Sequence, residues 1–155
     1  MINCVLGNES PNKYYPQAFW TINSKKYAAS NLRPDAILNT DSRIYIIDAK
    51  YYKYGITKNV QDLPQSSDIN KQFLYSEHIG NMTNKKTLDI FLLPYLGDEN
   101  NMFKFIGFAN IPTTTANSKI LGILMDTKTL MKSYVNSFEN DKLKNKLIQL
   151  VKNNI

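Results

Sequence analysis

Asp35, Asp48 and Lys50 are the side chains from which this sequence can assemble a reaction. Asp35 sits in Arg33-Pro34-Asp35-Ala36-Ile37-Leu38, and Asp48 and Lys50 close the string Ile44-Tyr45-Ile46-Ile47-Asp48-Ala49-Lys50. Both strings have the composition of β-strands, and Asn39-Thr40-Asp41-Ser42 between them is a cluster of turn formers. A tight turn brings one carboxylate from each strand to one side of a sheet. Strand alternation sends Asp48 and Lys50 to the same face as Ile44 and Ile46. Two carboxylates and a lysine converging there can hold a divalent metal and orient a water, the outline of a site that hydrolyses phosphodiesters.

The elements that must position these groups are legible in part. Residues 1–17 read as an irregular lead-in, broken by Asn8-Glu9-Ser10-Pro11-Asn12 and Tyr15-Pro16, and Phe19-Trp20-Thr21-Ile22 reads as a short strand or the end of one. Leu32 to Leu38 and Arg43 to Lys50 form the hairpin. Tyr51 to Gln65, polar and rich in tyrosine, reads as a long functional loop. Ser66-Ser67-Asp68 is a helix-start signal for a helix from about Asp68 to His78, with Gly80 as its stop. Ile69, Phe73 and Ser76 share one face of that helix, with Gln72 in the middle of the arc and Tyr75 and Ile79 at its border. Thr87 to Pro94 is a continuous β-rich run, as for a strand covered on both faces. Met102 to Ala109 and Lys119 to Met125 are further strands, joined by the turn-like Ile111-Pro112-Thr113-Thr114-Thr115. Asp126 can cap a helix starting near Thr127, and Glu139 to Lys152 makes a last helix with a stripe of Leu143, Leu147, Leu150 and Val151.

A chain of 155 residues with 43% hydrophobic residues fits one domain with a real core. The expected organisation is a motif-bearing core over about residues 18–110 and C-terminal helices over about 127–153. The net charge of +6, from 17 lysines and 2 arginines against 13 acids, favours a polyanionic partner, nucleic acid first. Cys4 and His78 are the only residues of their kinds. That excludes a disulfide framework and a cysteine-based zinc site. The apolar runs are too short to cross a membrane and no signal peptide is visible, so a cytoplasmic location is expected.

Pro34-Asp35 followed by Asp48-Ala49-Lys50 resembles the signature of the PD-(D/E)xK nuclease superfamily. The strand end Asp48-Ala49-Lys50-Tyr51-Tyr52 and, after a loop, Ser67-Asp68-Ile69-Asn70-Lys71-Gln72 look in particular like the LlaJI-type restriction endonuclease family. The McrC-type nuclease subunits share a similar pattern. The resemblance spans about residues 32–94. It implies an α/β (α+β) fold with a restriction-endonuclease-like core, a central mixed β-sheet flanked by helices. It further implies that Asp35 and Asp48 ligate Mg²⁺ (Mn²⁺ as substitute) with the backbone carbonyl of Ala49, and that Lys50 orients or deprotonates the attacking water. Gln72 matches a family position that reaches back toward the lysine or the substrate, and Tyr75 lies on the same broad face.

The expectation is therefore a type II restriction endonuclease acting on double-stranded DNA and leaving 5′-phosphate ends, as a homodimer or beside a separate specificity subunit. The alternatives are an McrC-like or repair nuclease subunit and a non-cutting DNA-binding module on a decayed nuclease core. Relatives are longer at the N-terminus and place a further acid on a helix ahead of the first strand; here Glu9 alone stands upstream, as in a truncated or split form. Tyr51, Tyr52, Lys53, Lys58, Lys71 and Tyr75 are candidate DNA contacts. Tyr51, Tyr52 and Tyr54 read equally as residues that pack the loop onto the body. Asp68 is read as a helix cap, with support of Lys50 as the second reading, and the C-terminal lysines as a solvated face.

Overall fold

A computed structural model of the chain describes residues 1–97, 101–112 and 118–155. Its centre is a five-stranded mixed sheet of β3 (Ala36–Asn39), β4 (Arg43–Ala49), β5 (Lys86–Tyr95), β7 (Ile120–Asp126) and β6 (Phe103–Ala109), in that order. β4, β5 and β7 run parallel, while β3 and β6 are antiparallel edges. The inner strands are apolar almost without a break, because helices cover both of their faces.

One face carries α1 (Ile2–Leu6), α4 (Thr127–Val135) and α5 (Asn140–Lys152). Val5, Leu6, Leu130, Leu143, Leu147 and Val151 from these helices pack on Tyr45, Ile47, Ile90, Leu92 and Ile123. The other face carries α3 (Ser66–Thr83), whose Tyr75 and Ile79 meet Ile37, Ile44 and Ile46, and whose Ile69 and Phe73 meet Phe91 and Leu93. Each fully buried aliphatic side chain contributes roughly 1.5–3 kcal/mol. The molecule is thus the expected α+β arrangement, a mixed sheet between helices, consistent with a restriction-endonuclease-like core.

The structure departs from the sequence expectation in four places. The lead-in is ordered: α1 buries Val5 and Leu6, and a 3₁₀ turn follows at Pro11–Tyr14. Five residues are too few to show a helical period, and sheet packing rather than propensity decides them. The stretch after β4 holds α2 (Tyr54–Thr57) and a 3₁₀ turn at Val60–Asp62 instead of an open loop. α3 passes through Gly80 and stops at Asn84, which takes φ 54° and donates its amide to the Gly80 carbonyl. Asparagine can supply the left-handed residue a helix end needs, so the glycine was not required. Finally, β1 (Phe19–Ile22) has a partner, β2 (Lys25–Ala28), joined through Asn23 and Ser24, both at positive φ. Of the turn expected at 111–115, residues 113–115 lie outside the described residues.

The N-terminal segment seals the edge of the sheet. Asn8 donates its backbone amide to Ile37 O at 3.0 Å, and Asn39 N donates to Asn8 Oδ1 at 2.8 Å. The Asn3 side chain accepts from Ile37 N at 3.2 Å. β3 therefore shows no open row of donors, and the strand that leads out of Asp35 is fixed on both sides.

Asp89 is the anomaly of the core, a carboxyl buried in the middle of β5. Burial pushes its pKa up to about 7, against hydrogen bonds from Ser76 and Gln72 that pull it down. A raised folded-state pKa means that the ionised form is disfavoured on folding. Stability is then highest below pH 4 with respect to this group and declines as pH rises toward 7. Asp89→Asn is expected to gain about 1–2 kcal/mol over the parent at pH 8 and nothing at pH 4, read by urea denaturation at both pH values.

Candidate active site

The β3–β4 pairing builds the site. Their register runs Ala36–Ile47, Ile37–Ile46, Leu38–Tyr45 and Asn39–Ile44, and one step beyond it stand Asp35 and Asp48. The Asp35 amide donates to Ile47 O at 3.1 Å, so the residue stays alongside β4 although the strand proper has ended. By alternation Asp35 shares the face of Ile37, and Asp48 that of Ile44 and Ile46, the face beneath α3. Directly opposed residues bring their Cβ atoms within about 5 Å of each other. Asp35 Oδ2 also accepts from the backbone N–H of Ala49 at 2.7 Å, which aims one oxygen across the strand.

Lys50 continues the ladder, its amide donating to Leu92 O at 2.9 Å. Its ammonium lies 2.8 Å from Asp48 Oδ2 and 2.8 Å from Asp68 Oδ1. The other oxygen of Asp68 accepts from the Tyr52 hydroxyl at 2.7 Å. Asp35, Asp48 and Lys50 are thus gathered on one surface, with Asp68 and Tyr52 fixing the lysine from the far side. The second reading of Asp68 is the one the geometry takes. The helix N-cap is Gln65, not Asp68, although the Gln65 N–H also reaches the Asp68 carboxylate.

The electrostatics follow from burial. Asp48 is buried, and desolvation pushes its pKa up to about 6; the Lys50 ammonium opposes this, while the negative charge of Asp35 adds to it. For Asp68, partial burial works upward but Lys50 and the Tyr52 hydroxyl outweigh it, and the carboxyl ends below its ordinary range. Burial pulls the Lys50 pKa down, yet Asp48 and Asp68 outweigh it and hold the ammonium well above the usual lysine range.

Asp48 Oδ2 is buried and has no aligned hydrogen-bond donor, only the ammonium beside it. Together with Asp35 it offers an oxygen donor set that suits a hard cation of the Mg²⁺ kind. No cluster of three or more His, Cys, Asp or Glu side chains exists among the described residues. Magnesium tolerates that, since it keeps waters and takes phosphate oxygens beside one or two carboxylates. What the structure gives for Ala49 is its amide on Asp35.

Gln72 turns elsewhere. Its amide donates to Ile46 O at 3.1 Å and to Asp89 Oδ1 at 3.0 Å, and neither described bond goes to Lys50. It pins α3 to the sheet one layer below the site, and Asp89, which sequence reading overlooked, is its partner. The signal was present: an acid inside the apolar run from Thr87 to Pro94. Tyr75, expected as a DNA contact, is fully buried among Ile37, Ile44 and Ile46, because the helix turns its aromatic face to the core. Lys71 is half-buried, its ammonium 5.6 Å from the Tyr75 ring centroid.

Tyr52 packs near Phe91 and Leu93 and is committed to Asp68, so packing is its part. Tyr51 and Lys53 are exposed. Lys58 is exposed too, donating to Gly55 O at 2.6 Å. Glu9 accepts from the Tyr14 hydroxyl and the Asn39 side chain at the opposite end of β3 from Asp35, outside the site. His78 lies within α3, which continues past it to Thr83.

The LlaJI restriction endonuclease family model matches residues 8–150. Among solved structures, the chain is similar to one in the refined half-complex from the tetradecameric assembly of Thermococcus gammatolerans McrB AAA+ hexamers with bound McrC. That likeness has 16% identity and a TM-score of 0.42, covering 82% of this chain and 27% of that one. The chain thus spans about a quarter of that neighbour's length. No curated protein matches it. Among the described residues, no helix is long and apolar enough to cross a membrane.

Removing the Tyr52 hydroxyl tests the lock on the lysine. Tyr52→Phe is expected to lower stability by about 1 kcal/mol in urea denaturation, while Tyr51→Phe, at an exposed ring, leaves it unchanged.

Proposed function

We propose, from the premise that the chain belongs to the LlaJI restriction endonuclease family, that it is a Mg²⁺-dependent endonuclease that cuts double-stranded DNA and leaves 5′-phosphate ends. The observation that carries this reading is the cross-strand pair of Asp35 and Asp48 with Lys50 two residues on, all on one sheet face.

Asp35 and Asp48 would hold the cation, their mutual repulsion being what a positive ion between them relieves. When bound, Mg²⁺ supplies Lewis-acid polarisation of the phosphate and acidifies a coordinated water. Lys50 is a fixed ammonium in this arrangement, not a free base. Held between Asp48 and Asp68, it would orient the incoming water and face the negative charge that grows on the phosphate. In-line attack by that water would form the new O–P bond as the bond to the 3′ oxygen breaks; the water's proton would pass to bulk solvent and the departing 3′ oxygen would take one from it, so the phosphate stays on the 5′ end. Asp68 and Tyr52 act one step removed, keeping the ammonium from collapsing wholly onto Asp48. Cutting both strands calls for two such sites, hence a homodimer or a partner subunit that also chooses the sequence.

Supercoiled plasmid incubated with the purified chain is expected to be nicked or linearised with Mg²⁺ or Mn²⁺ and left intact with chelator. Asp48→Asn and Lys50→Ala are expected to cost at least about 100-fold in rate with the thermal transition retained. Wild-type-like cleavage by either variant refutes the assignment. DNA binding without any cleavage by the parent chain selects the decayed-nuclease alternative.

A further inference from the structure

We infer that the β1–β2 hairpin is a DNA-contacting ribbon that grips the duplex beside the carboxylate pair. The inference rests on the nuclease reading for what happens next to the ribbon, but its binding test stands apart from cleavage.

The hairpin is out of keeping with the rest of the fold. All eight of its strand residues are exposed, on both faces, and they include Phe19, Trp20, Ile22 and Tyr27. Trp20 is 68% exposed and Phe19 57%. The register pairs Trp20 with Tyr27 and Ile22 with Lys25 on one face, and Phe19 with Ala28 and Thr21 with Lys26 on the other. Each face thus mixes aromatic rings with a lysine, and neither is an apolar face meant for a core. A bare two-stranded ribbon is at best marginally stable in water, so burying nothing costs it heavily unless something else covers it.

Charge identifies what covers it. From residue 10 to residue 34 there is no acidic side chain, while Lys13, Lys25, Lys26 and Arg33 all fall in that stretch. A ribbon of lysines and exposed aromatic rings with no carboxylate of its own suits a polyanion that also offers flat bases or sugar edges. A protein partner with an apolar patch does not need that sign bias. A two-stranded ribbon also has the width to enter the major groove of B-form DNA.

Its attachment puts the ribbon on the right side. Ala29 N donates to Ala18 O at 2.9 Å and Leu32 N to Pro16 O at 3.2 Å, closing the base of the hairpin. Leu32 packs on the cluster of Tyr14, Ile37 and Tyr75, and a cleft at the hairpin base is lined by Pro16, Leu32, Leu74, Glu77 and His78, so one carboxylate stands at the root of the ribbon. The ribbon is therefore rooted against α3, on the face that carries Asp35, Asp48 and Lys50. The chain leaves β2 at Ala28 and reaches Asp35 seven residues later, passing Arg33, whose guanidinium lies 5.6 Å from the Tyr15 ring. A duplex seated with a phosphate over the carboxylates continues along this basic strap.

The test is binding by the full chain to a fluorescein-labelled linear duplex of mixed sequence, without divalent metal so that nothing is cut, over a series of salt concentrations. Lys25→Glu/Lys26→Glu is expected to weaken binding about tenfold at low salt and to flatten the log–log salt slope by roughly two. Lys25→Gln/Lys26→Gln reads a smaller loss with the same flattening, should charge reversal disturb folding. Trp20→Ala/Tyr27→Ala is expected to weaken binding roughly fivefold or more with the salt slope unchanged. Parent-like affinity and slope in all of these variants overturn the inference and leave the ribbon to a protein partner, as does a parent chain that binds no duplex. If the variants lose binding while the parent never cleaves, the ribbon stands and the nuclease reading falls. If the parent cleaves and the variants bind and cleave as it does, the reverse holds.

Discussion

The pairing of β3 with β4 is the constraint on which the rest depends. A one-residue slip of an antiparallel pair turns every side chain to the opposite face. Here that would bury Ala36 and Leu38 where Ile37 belongs and carry Asp35 away from Asp48. The register is protected from both sides. On one, Ile44 and Ile46 are locked under Tyr75 and Ile79. On the other, Asn3 and Asn8 use up the outer hydrogen bonds of Ile37 and Asn39. Two asparagines and a short helix that sequence reading passed over are thus part of what positions the carboxylates.

That pairing creates an electrostatic problem which the neighbouring residues contain without abolishing. Burial of Asp48 makes its ionisation hard, and repulsion from the opposed Asp35 adds to that, hence its upward shift. Lys50 offsets part of this, but it is itself shared with Asp68, which in turn is steadied by Tyr52. A lysine with a single carboxylate partner would neutralise it and leave little reason for a cation to bind. Divided between two, it stays charged and stays in place, 2.8 Å from Asp48 Oδ2 and 2.8 Å from Asp68 Oδ1. The residual strain has the sign that a divalent cation relieves.

How much of this could be read in the sequence depended on whether the causes were local. Strand alternation and a turn cluster are local, and they gave the hairpin of β3 and β4 and the shared face of Asp48 and Lys50. Continuous apolar runs gave β5 and β7, and Asp126 caps α4 by accepting from Thr129 N at 2.8 Å, as its position predicts. What failed was decided across space. Tyr75 and Gln72 lie on one helical arc, and nothing nearby in the sequence says that this arc faces the sheet so squarely that the tyrosine is sealed in. Asp68 sits where a helix start wants an acid, so the local explanation hid its ion pair with a lysine eighteen positions earlier. Lys25-Lys26-Tyr27-Ala28 has no apolar alternation because that strand faces solvent on both sides.

The contrast between sheet and ribbon points to a division of labour. The groups proposed to hold a reacting phosphate stand at the end of β4 and are braced by α3, where repacking would cost several kcal/mol. Groups that must accommodate a long and irregular polyanion gain nothing from such rigidity. The β1–β2 ribbon has no core of its own and is closed at its base by a few hydrogen bonds. It therefore belongs to the low-stability end of the molecule, where small rotations cost little. On the proposed reading, an exposed basic ribbon beside a buried acidic pair would resolve a conflict inherent in cutting DNA, because carboxylates that attract a cation repel the phosphates that must join it. The attraction has to come from elsewhere on the same face, and the acid-free stretch from residue 10 to residue 34 is where the sequence puts it.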